Sequence, residues 1–552
     1  MIKKEKKYTF TTPCNDYYNF FSNNDPYAKY EFLSPFELKN TLIYKAEQGS
    51  KINNTYLNAG RGNPNFLSIQ PRLAFSLLNI ISCELCNNLK YGLATEPDKK
   101  NISKKFYKIL DKYKSNPGYN FLVKSLEKAI IITKLEKDDL IHQLTISTLG
   151  SFYPVPPRIH EFNELITKEF IEKCIFKSKI KNKVNLFATE GASAGIMYTF
   201  NSLLINGIIN KGDKIGIITP IFSPYLEIPN LEKFKLKTVC IQANKDDEWN
   251  IPLTELYKLK DTNVKALFLV NPGNPTSVSL SKENIKNIVN IVKEFNPNLI
   301  ILTDDVYSPF VDEYNSLYTA LPENTIYIYS YSKYFGVTGW RLGLIMLSEK
   351  NVIDSNIIPN LTKIQKDKLI KRYKLATLNV EKLPFIERLV LDSREVAEAH
   401  TGGLSTPQQV MMTLFSLQEL IPEYNLYNGE IKKILKKRLK DVCKPIKYKY
   451  ITNSRTSYYY IILDLIIIAE NLYDKNFAQW IHNHLDPLYF LFILAEKYST
   501  VLLPGLGFAG PAYSVRISLA NLKDEDYPII GNNIKHTFEE IYKEYIKTKL
   551  NH

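Results

Sequence analysis

The most informative sequence in this chain is Tyr329-Ser330-Tyr331-Ser332-Lys333-Tyr334-Phe335-Gly336-Val337-Thr338-Gly339-Trp340-Arg341-Leu342-Gly343. It places Lys333 in a run of small and aromatic residues, with Arg341 eight residues later. A lysine amine can form a Schiff base with an aldehyde, and an arginine guanidinium can hold a phosphate as a fork. A small molecule that carries both an aldehyde and a phosphate would satisfy both residues.

Short apolar runs on either side of this sequence alternate with helical patterns. The runs span residues 184–188, 214–218, 264–270, 299–303, 325–329 and 343–347. Alternation of this kind predicts an α/β domain with a mainly parallel central sheet. After about residue 430 the pattern becomes mixed, which predicts a smaller α+β domain.

The same patterns predict how the chain is divided. We expect an N-terminal extension whose chemistry the sequence does not reveal, a mostly helical part of the small domain, a large domain with a charged helical insertion, and a C-terminal part of the small domain. The predicted bounds are 1–30, 31–150, 151–430 with the insertion at 350–400, and 431–552.

Composition narrows the class of protein further. The net charge is +14, but the lysines are spread along the whole chain, and no zinc-finger or RNA-recognition signature accompanies them, so we expect no nucleic-acid partner. The apolar runs are too short or too interrupted to cross a bilayer, and the basic N-terminus lacks the apolar core of a secretory signal. We therefore expect a cytoplasmic protein with no membrane partner. His482 and His484 lack nearby acidic or thiol ligands, so we expect no metal site.

Three further motifs follow predicted strands, where an open α/β sheet places its ligands. Thr189-Glu190-Gly191-Ala192-Ser193-Ala194-Gly195 opens a helix, and its small residues would let the backbone approach a phosphate. Asn271-Pro272-Gly273-Asn274-Pro275-Thr276 is a rigid turn that would aim Asn274 inward. Thr303-Asp304-Asp305-Val306-Tyr307 offers a carboxylate that would keep a pyridine nitrogen protonated, with a tyrosine placed to reach a ring hydroxyl. Taken singly, each motif could be an ordinary turn or a helix cap.

Taken together and in this order, the four motifs resemble those of the class I aminotransferases, in the aspartate aminotransferase superfamily. The resemblance implies the fold of PLP-dependent transferases of fold type I and pyridoxal 5'-phosphate (PLP) as cofactor. It implies that Lys333 is the Schiff-base lysine and proton shuttle, and that Asp304 pairs with the pyridine nitrogen. The remaining contacts that it implies are Asn274 and Tyr307 at the ring oxygen, Phe222 stacked on the ring, Ala192, Ser193, Ser330 and Arg341 at the phosphate, and Arg516 at the substrate α-carboxylate, with Gly60, Arg61 and Asn274 lining the substrate site.

Other segments resemble one branch of this superfamily. The chain is far longer than an ordinary class I aminotransferase, and residues 33–39, 58–65 and 400–409, with the 350–400 insertion, are similar to the aspartate 4-decarboxylases. This resemblance, from about residue 33 to the end, implies conversion of L-aspartate to L-alanine and CO2, with slower transamination to a 2-oxo acid. Two alternatives stay open: a plain aspartate or aromatic aminotransferase with insertions, and an inactive PLP-fold protein with a binding or regulatory role.

Two residues carry predictions of their own. The two activities differ in how the distal carboxylate of aspartate is held, and we hypothesise that Arg61 influences that choice. Its simpler interpretation is a structural arginine that bonds loop carbonyls. Tyr153 resembles the tyrosine that reaches the phosphate in the neighbouring subunit's site, which implies a homodimer or higher homo-oligomer with shared active sites.

Overall fold

The computed structural model describes residue 30 and residues 35–53 and 56–550. The predictions for the 1–30 extension and for Leu33 and Ser34 therefore lie almost entirely outside the described residues. Of the segment 33–39, the structure shows that a helix begins at Pro35.

Helices dominate the described residues before residue 184 and after residue 350. In chain order they are α1 Pro35–Asn53, α2 Gln70–Leu85, α3 Ile102–Leu110, α4 Tyr119–Thr133, α5 Lys137–Leu149, α6 Glu161–Phe170, α7 Ala192–Ile205, α8 Ser223–Glu227, α9 Leu253–Leu256, α10 Lys282–Glu294, α11 Leu317–Ala320, α12 Lys363–Tyr373, α13 Phe385–Asp392, α14 Thr406–Leu420, α15 Leu426–Cys443, α16 Leu465–Leu472, α17 Lys475–His484, α18 Tyr489–Tyr498 and α19 Asp526–Leu550. None of these described helices is both long enough and apolar enough to cross a bilayer.

The strands concentrate between residues 184 and 348. In chain order they are β1 Leu57–Asn58, β2 Asn87–Asn88, β3 Ala94–Thr95, β4 Val184–Thr189, β5 Lys214–Thr219, β6 Lys237–Gln242, β7 Val264–Val270, β8 Ile300–Asp304, β9 Thr325–Ser330, β10 Gly343–Ser348, β11 Tyr460–Asp464, β12 Thr500–Val501, β13 Leu503–Pro504 and β14 Ser514–Ser518.

Seven of the described strands form the central sheet, in the order β4-β10-β9-β8-β7-β5-β6. All neighbours are parallel except β10, which is antiparallel to both β4 and β9. This confirms the predicted α/β class with a mainly parallel sheet. The six predicted strands are all present within one residue of their expected bounds, and the sequence analysis missed β6.

Both faces of the central sheet are covered, as a parallel sheet requires. One face packs Phe187, Phe268 and Ile328 against Ile196 and Phe200 of α7. The other face is covered partly by α10 and partly by a large aromatic cluster around Tyr327, Tyr329 and Phe335. Because burial on both faces fixes every strand, the carboxyl ends of β7, β8 and β9 form a rigid edge.

A second, antiparallel sheet has the strand order β11-β14-β13. β14 is its central strand, and Arg516 on β14 lies opposite Ile462 of β11. A partly buried ion pair between Lys245 and Asp464 joins this sheet to the region of the central one, and Arg455 donates to the carbonyl of Ser279 at 2.9 Å. The small sheet is thereby held beside the turns that follow β7.

Residues 350–400 are helical, and a polar network attaches them to α7. Asp392, in α13, accepts hydrogen bonds from Ser202 of α7 at 2.6 Å and from Tyr373 at 2.8 Å. Arg388 is 1% exposed and donates to Asn206, at the end of α7, at 3.0 Å. The insertion is thus attached to α7, and the first turn of α7 lies at the candidate active site. The division of the chain into domains stays a prediction.

Candidate active site

The predicted motifs meet at the carboxyl edge of the central sheet. Asp304 is the last residue of β8 and Ser330 the last residue of β9, and the Asn271 turn follows β7. The register sets Val270 of β7 beside Asp304, and Asp304 beside Ile328 of β9. The ends of neighbouring parallel strands therefore bring the amides of the Asn271 turn, the Asp304 carboxylate and the Ser330 hydroxyl close together.

Lys333 lies in the connection between β9 and β10, which is a rigid segment. The hydroxyl of Tyr331 lies 2.7 Å from that of Ser416, and the hydroxyl of Tyr334 donates to Glu419 at 3.0 Å. Between these two anchors the Lys333 amine is half-buried and donates to the carbonyl of Gly62 at 3.0 Å. No salt bridge within the described residues ties this amine to a carboxylate, so it is available for chemistry.

Asp304 is a buried carboxylate whose hydrogen bonds are few. It is 4% exposed, accepts from the Tyr225 hydroxyl at 2.8 Å and from the Val306 amide at 3.3 Å. Burial raises its pKa from its ordinary value of 3.8 to about 6, against the opposing effects of these bonds and of Lys333. A protonated ring nitrogen would be a suitable partner for this buried carboxylate.

The predicted phosphate contacts surround the start of α7. Gly191 precedes the helix with φ of 87°, and a Cβ there would lie 2.5 Å from Nη2 of Arg341. Only glycine therefore lets the guanidinium approach the first turn. Arg341 donates to the carbonyls of Thr338 and Glu190 at 2.8 and 3.3 Å, both neutral acceptors.

The remaining groups at this helix start also suit an anion. α7 has no acidic residue in its first turn and no side-chain cap, so the amides that begin at Ala192 and Ser193 keep their bonding capacity. Ser330 Oγ lies 2.9 Å from Ser332 Oγ. A guanidinium, a helix N-terminus and hydroxyls together form a donor set for a phosphate.

Arg516 is a buried cation with only neutral partners. It is 3% exposed and donates to the carbonyl of Gly60 at 2.7 Å and to Oδ1 of Asn274 at 3.2 Å. Its Nε has no acceptor among the described residues, and the pKa of the group is lowered by burial. A carboxylate would supply both the missing acceptor and the counter-charge. Arg516 thus contacts both Gly60 and Asn274, two of the other predicted substrate contacts.

Three tyrosines that the sequence analysis did not identify complete the site. Tyr225 lies one turn after Phe222, packs edge-on against its ring at 5.2 Å, and bonds Asp304. The Tyr460 hydroxyl lies 3.0 Å from that of Tyr307. Tyr459 donates to the Gly62 carbonyl at 2.8 Å, the same oxygen that Lys333 contacts.

Tyr225 could have been identified from the sequence, because it follows Phe222 by three residues and residues at that spacing in a helix are neighbours. Tyr459 and Tyr460 gave no such signal, because residues 458–460 are all tyrosine and only the register of β11 selects between them.

Arg61 and Tyr153 are not brought into contact with the other site residues. Arg61 is exposed and makes no hydrogen bond or ion pair to another described residue, so the structural interpretation of a loop-bonding arginine finds no support. Tyr153 is 63% exposed. A role for Tyr153 at a phosphate would therefore require a second subunit.

This set of groups would suit an aldehyde-bearing pyridine phosphate, and the chain belongs to the aminotransferase class I and II family, whose family model matches residues 148–532. A relative from Pseudomonas sp, named bifunctional aspartate aminotransferase and L-aspartate beta-decarboxylase, is 40% identical over 93% of this chain and 97% of its own. An aspartate aminotransferase from Pyrococcus horikoshii is 28% identical over 62% of this chain and 72% of its own.

The fold is also found among solved structures. The crystal structure of an aromatic aminotransferase from Pyrococcus horikoshii matches with a TM-score of 0.55 at 18% identity, covering 90% of this chain and 99% of its own. An aspartate aminotransferase structure from Thermus thermophilus matches with a TM-score of 0.54 at 15% identity, covering 91% and 94%. The predicted fold class is confirmed.

Membership of this family identifies the cofactor. Class I aminotransferases are PLP-dependent enzymes, so this protein is a PLP-dependent enzyme, as the resemblance implied. The residues present fit the cofactor: an amine for its aldehyde, a buried carboxylate for its nitrogen, and an anion-binding helix start for its phosphate. Among the described residues, no group of three or more His, Cys, Asp and Glu side chains could hold a metal ion.

Proposed function

We propose that this protein decarboxylates L-aspartate at the β-carboxylate to give L-alanine and CO2, and that it transaminates aspartate as a side reaction. The observation that carries the proposal is the 40% identity to a relative named for both activities, which extends over 93% of the chain. It includes residues before 148, outside the family match. The buried Arg516 beside the catalytic lysine segment supports an amino-acid substrate.

The cofactor contacts follow from the site geometry. When bound, PLP supplies an aldehyde that joins the substrate amine and a protonated ring that withdraws electrons from bonds at the substrate carbons. Lys333 would hold the cofactor and then move the proton at the substrate α-carbon. Asp304 would keep the ring nitrogen protonated, and Asn274 and Tyr307 would bond the ring oxygen.

The phosphate would be held by a set of donors at one end of the site. These donors are Ala192, Ser193, Ser330 and Arg341, and Phe222 would stack on the ring. Because the partners of Arg341 among the described residues are carbonyl groups, phosphate binding would not require it to give up a salt bridge to any of them.

Arg516 would clamp the substrate α-carboxylate. Its partners Gly60 and Asn274 are neutral, so the guanidinium is already oriented and already desolvated before substrate binds. A bidentate carboxylate would then gain charge-assisted hydrogen bonds without the cost of breaking an existing ion pair. Clamping fixes the amino group of the substrate on the same side as Lys333.

Arg61 would influence the fate of the distal carboxylate. It lies next to Gly60 in the chain, and together with Arg516 it lowers the pKa of Lys39, although burial is the larger cause. The shared effect on Lys39 supports a role for the Arg61 charge near the proposed substrate site. A strong contact to the distal carboxylate would slow its loss as CO2, so we expect Arg61→Ala to change the ratio of decarboxylation to transamination. An unchanged ratio, measured from alanine and oxaloacetate formed in the same reaction, would contradict this role.

We also propose a cytoplasmic homo-oligomer in which subunits share active sites. The support is Tyr153, which is exposed in the single chain although its counterpart position in the resembled family reaches a phosphate. Sharing would place each Tyr153 at the cofactor of a neighbouring subunit.

Carbon NMR of the purified protein with PLP and uniformly labelled L-aspartate tests the main proposal. Sustained formation of labelled alanine and bicarbonate without added 2-oxo acid is the expected result. Lys333→Ala, prepared alongside, should give neither product. If alanine fails to accumulate, but oxaloacetate appears when 2-oxoglutarate is added, the protein is an aminotransferase and the decarboxylase proposal is wrong.

A further inference from the structure

The proposed reaction requires a proton donor that the residues assigned so far do not supply. When the β-carboxylate leaves as CO2, the carbon–carbon bond breaks and its electron pair stays on the β-carbon. That carbon must take up one proton to become the methyl group of alanine. The inference below therefore rests on the proposed decarboxylation.

Tyr460 is a buried hydroxyl in the centre of the site. It is 4% exposed and is the first residue of β11, where its amide donates to Ser277 Oγ at 2.8 Å. The Arg516 guanidinium lies over its ring at 4.4 Å. Backbone and ring are therefore both fixed, and the hydroxyl is held 3.0 Å from that of Tyr307.

The Tyr460 hydroxyl and the Lys333 amine converge on the same glycine. A Cβ built on Gly62 would lie 2.6 Å from the Tyr460 oxygen and 3.4 Å from Nζ of Lys333. The Tyr460 hydroxyl and the Lys333 amine therefore both border the open space beside Gly62. Any larger side chain at position 62 would fill that space. That space also adjoins Arg516, which would hold the α-carboxylate, so the β-carbon of a bound aspartate comes within reach of both.

The other polar groups around this space have separate tasks. The Tyr307 hydroxyl would bond the cofactor ring oxygen, and the Tyr459 hydroxyl is engaged with the Gly62 carbonyl. Arg516 does not release its proton in proteins. Lys333 would serve the α-carbon. Among the hydroxyls of the described residues that meet at this space, that of Tyr460 is the one without another assigned task.

We propose that Tyr460 is a further catalytic residue, whose hydroxyl gives its proton to the β-carbon as CO2 leaves. The O–H bond breaks as the new C–H bond forms, and the electron pair of the O–H bond stays on the phenolate. The phenolate is stabilised by the charge of Arg516, whose guanidinium lies 4.4 Å from the ring centre. It regains a proton from water, so that one proton is consumed for each CO2 released.

Tyr460→Phe in the full-length PLP enzyme tests this role, with Tyr459→Phe as the matched control. We expect Tyr460→Phe to slow alanine formation about 100-fold, the usual worth of a positioned general acid, and to slow oxaloacetate formation much less. Tyr459→Phe should affect both products in the same proportion, because its hydroxyl positions the Gly62 loop. The absorption spectrum of bound PLP checks that each variant is assembled.

A stereochemical readout separates donation from a structural role. Aspartate labelled stereospecifically with deuterium and tritium at the β-carbon should give alanine with a chiral methyl group of one configuration in the wild type. In Tyr460→Phe, water replaces the fixed donor, so we expect a mixture of configurations.

Replacing Tyr460 by 3-fluorotyrosine keeps the shape of the side chain and should shift the pH profile of decarboxylation downwards.

Two results would overturn the assignment: an unchanged product ratio with a single methyl configuration in Tyr460→Phe, or an unshifted pH profile with 3-fluorotyrosine. Either would show that Tyr460 is not the donor, and a single configuration would identify another fixed group, such as Lys333. Failure of the wild type to form alanine is a different outcome, because it contradicts the decarboxylase proposal itself.

Discussion

Asp304 shows how a single residue acquires its chemistry from burial. Its carboxylate has a phenol and a backbone amide as hydrogen-bond donors, and no cation in direct contact among the described residues. Burial therefore dominates and raises its pKa to about 6. An ion pair with the cofactor nitrogen, as proposed above, would offset this cost in a dry environment.

Replacing Asp304 by Asn should stabilise the cofactor-free protein and weaken cofactor binding. The pKa of Asp304 is raised on folding from 3.8 to about 6, so its contribution to stability is complete below pH 3.8 and is lost as the pH rises through about 6. We expect Asp304→Asn to gain up to about 3 kcal/mol at pH 7, following about 1.4 kcal/mol per pKa unit, and to lose this advantage near pH 4. Urea unfolding of the apoprotein at several pH values measures it, and equal stability at all pH values would contradict the assignment of burial as the cause.

Replacing Arg516 by Lys should raise the KM for aspartate more than it lowers kcat. Lysine keeps the charge but loses the planar fork, and one lost charge-assisted hydrogen bond is worth about 1.5–3 kcal/mol, or at least about tenfold in KM. Arg438→Lys is the control, since Arg438 is equally buried but is bonded to Asp524 at 2.7 Å and, among the described residues, donates no hydrogen bond to Gly60 or Asn274. That variant should lose stability and keep its KM.

At the scale of elements, burial explains which parts of the fold the sequence could predict. β8 is buried on both faces and reads as a continuous apolar run, so its position was predicted within one residue. β6 lies at the sheet edge, is only partly buried, and carries the mixed sequence Lys237–Gln242, so no apolar run marked it. The cofactor motifs were predictable because each follows a buried strand. Tyr460 was not, because tertiary contacts set the register of β11.

The close contact between β10 and the start of α7 can be tested by substitution. A Cβ on Gly343, the first residue of β10, would lie 2.5 Å from the carbonyl carbon of Gly191. We expect Gly343→Ala to push α7 away from Arg341, to destabilise the protein by about 1–3 kcal/mol, and to weaken PLP binding. Gly339→Ala is the control, because a Cβ there meets no atom within 4 Å. PLP titration and urea unfolding of both variants measure the difference, and equal behaviour would show that the close approach is unimportant.

At the scale of the whole molecule, the site is assembled from parts that are distant in sequence. Lys333 contacts Gly62, 271 residues earlier, and Arg516 contacts Gly60, 456 residues earlier. Neither contact could be predicted from local sequence patterns, because such a pattern describes a single helix or strand and not its packing against a distant segment. The resemblance to a family could anticipate Gly60 and Arg516 because a family preserves the residues of a site. It could not supply the contacts of this chain's own tyrosines.

Sharing of sites between subunits gives the last prediction at this scale. Tyr153→Ala and Lys333→Ala should each lose most activity as pure proteins, because one lacks the proposed phosphate contact and the other the proposed Schiff-base amine. If Tyr153 acts in the neighbouring subunit's site, a mixed dimer contains one site with both residues intact. Equal mixing with free subunit exchange should then restore activity to about a quarter of the wild-type sites. Differently tagged subunits would prove that exchange has occurred. Exchange without any recovery would mean that Tyr153 serves its own chain or no site at all, since within one chain the two defects could not complement each other.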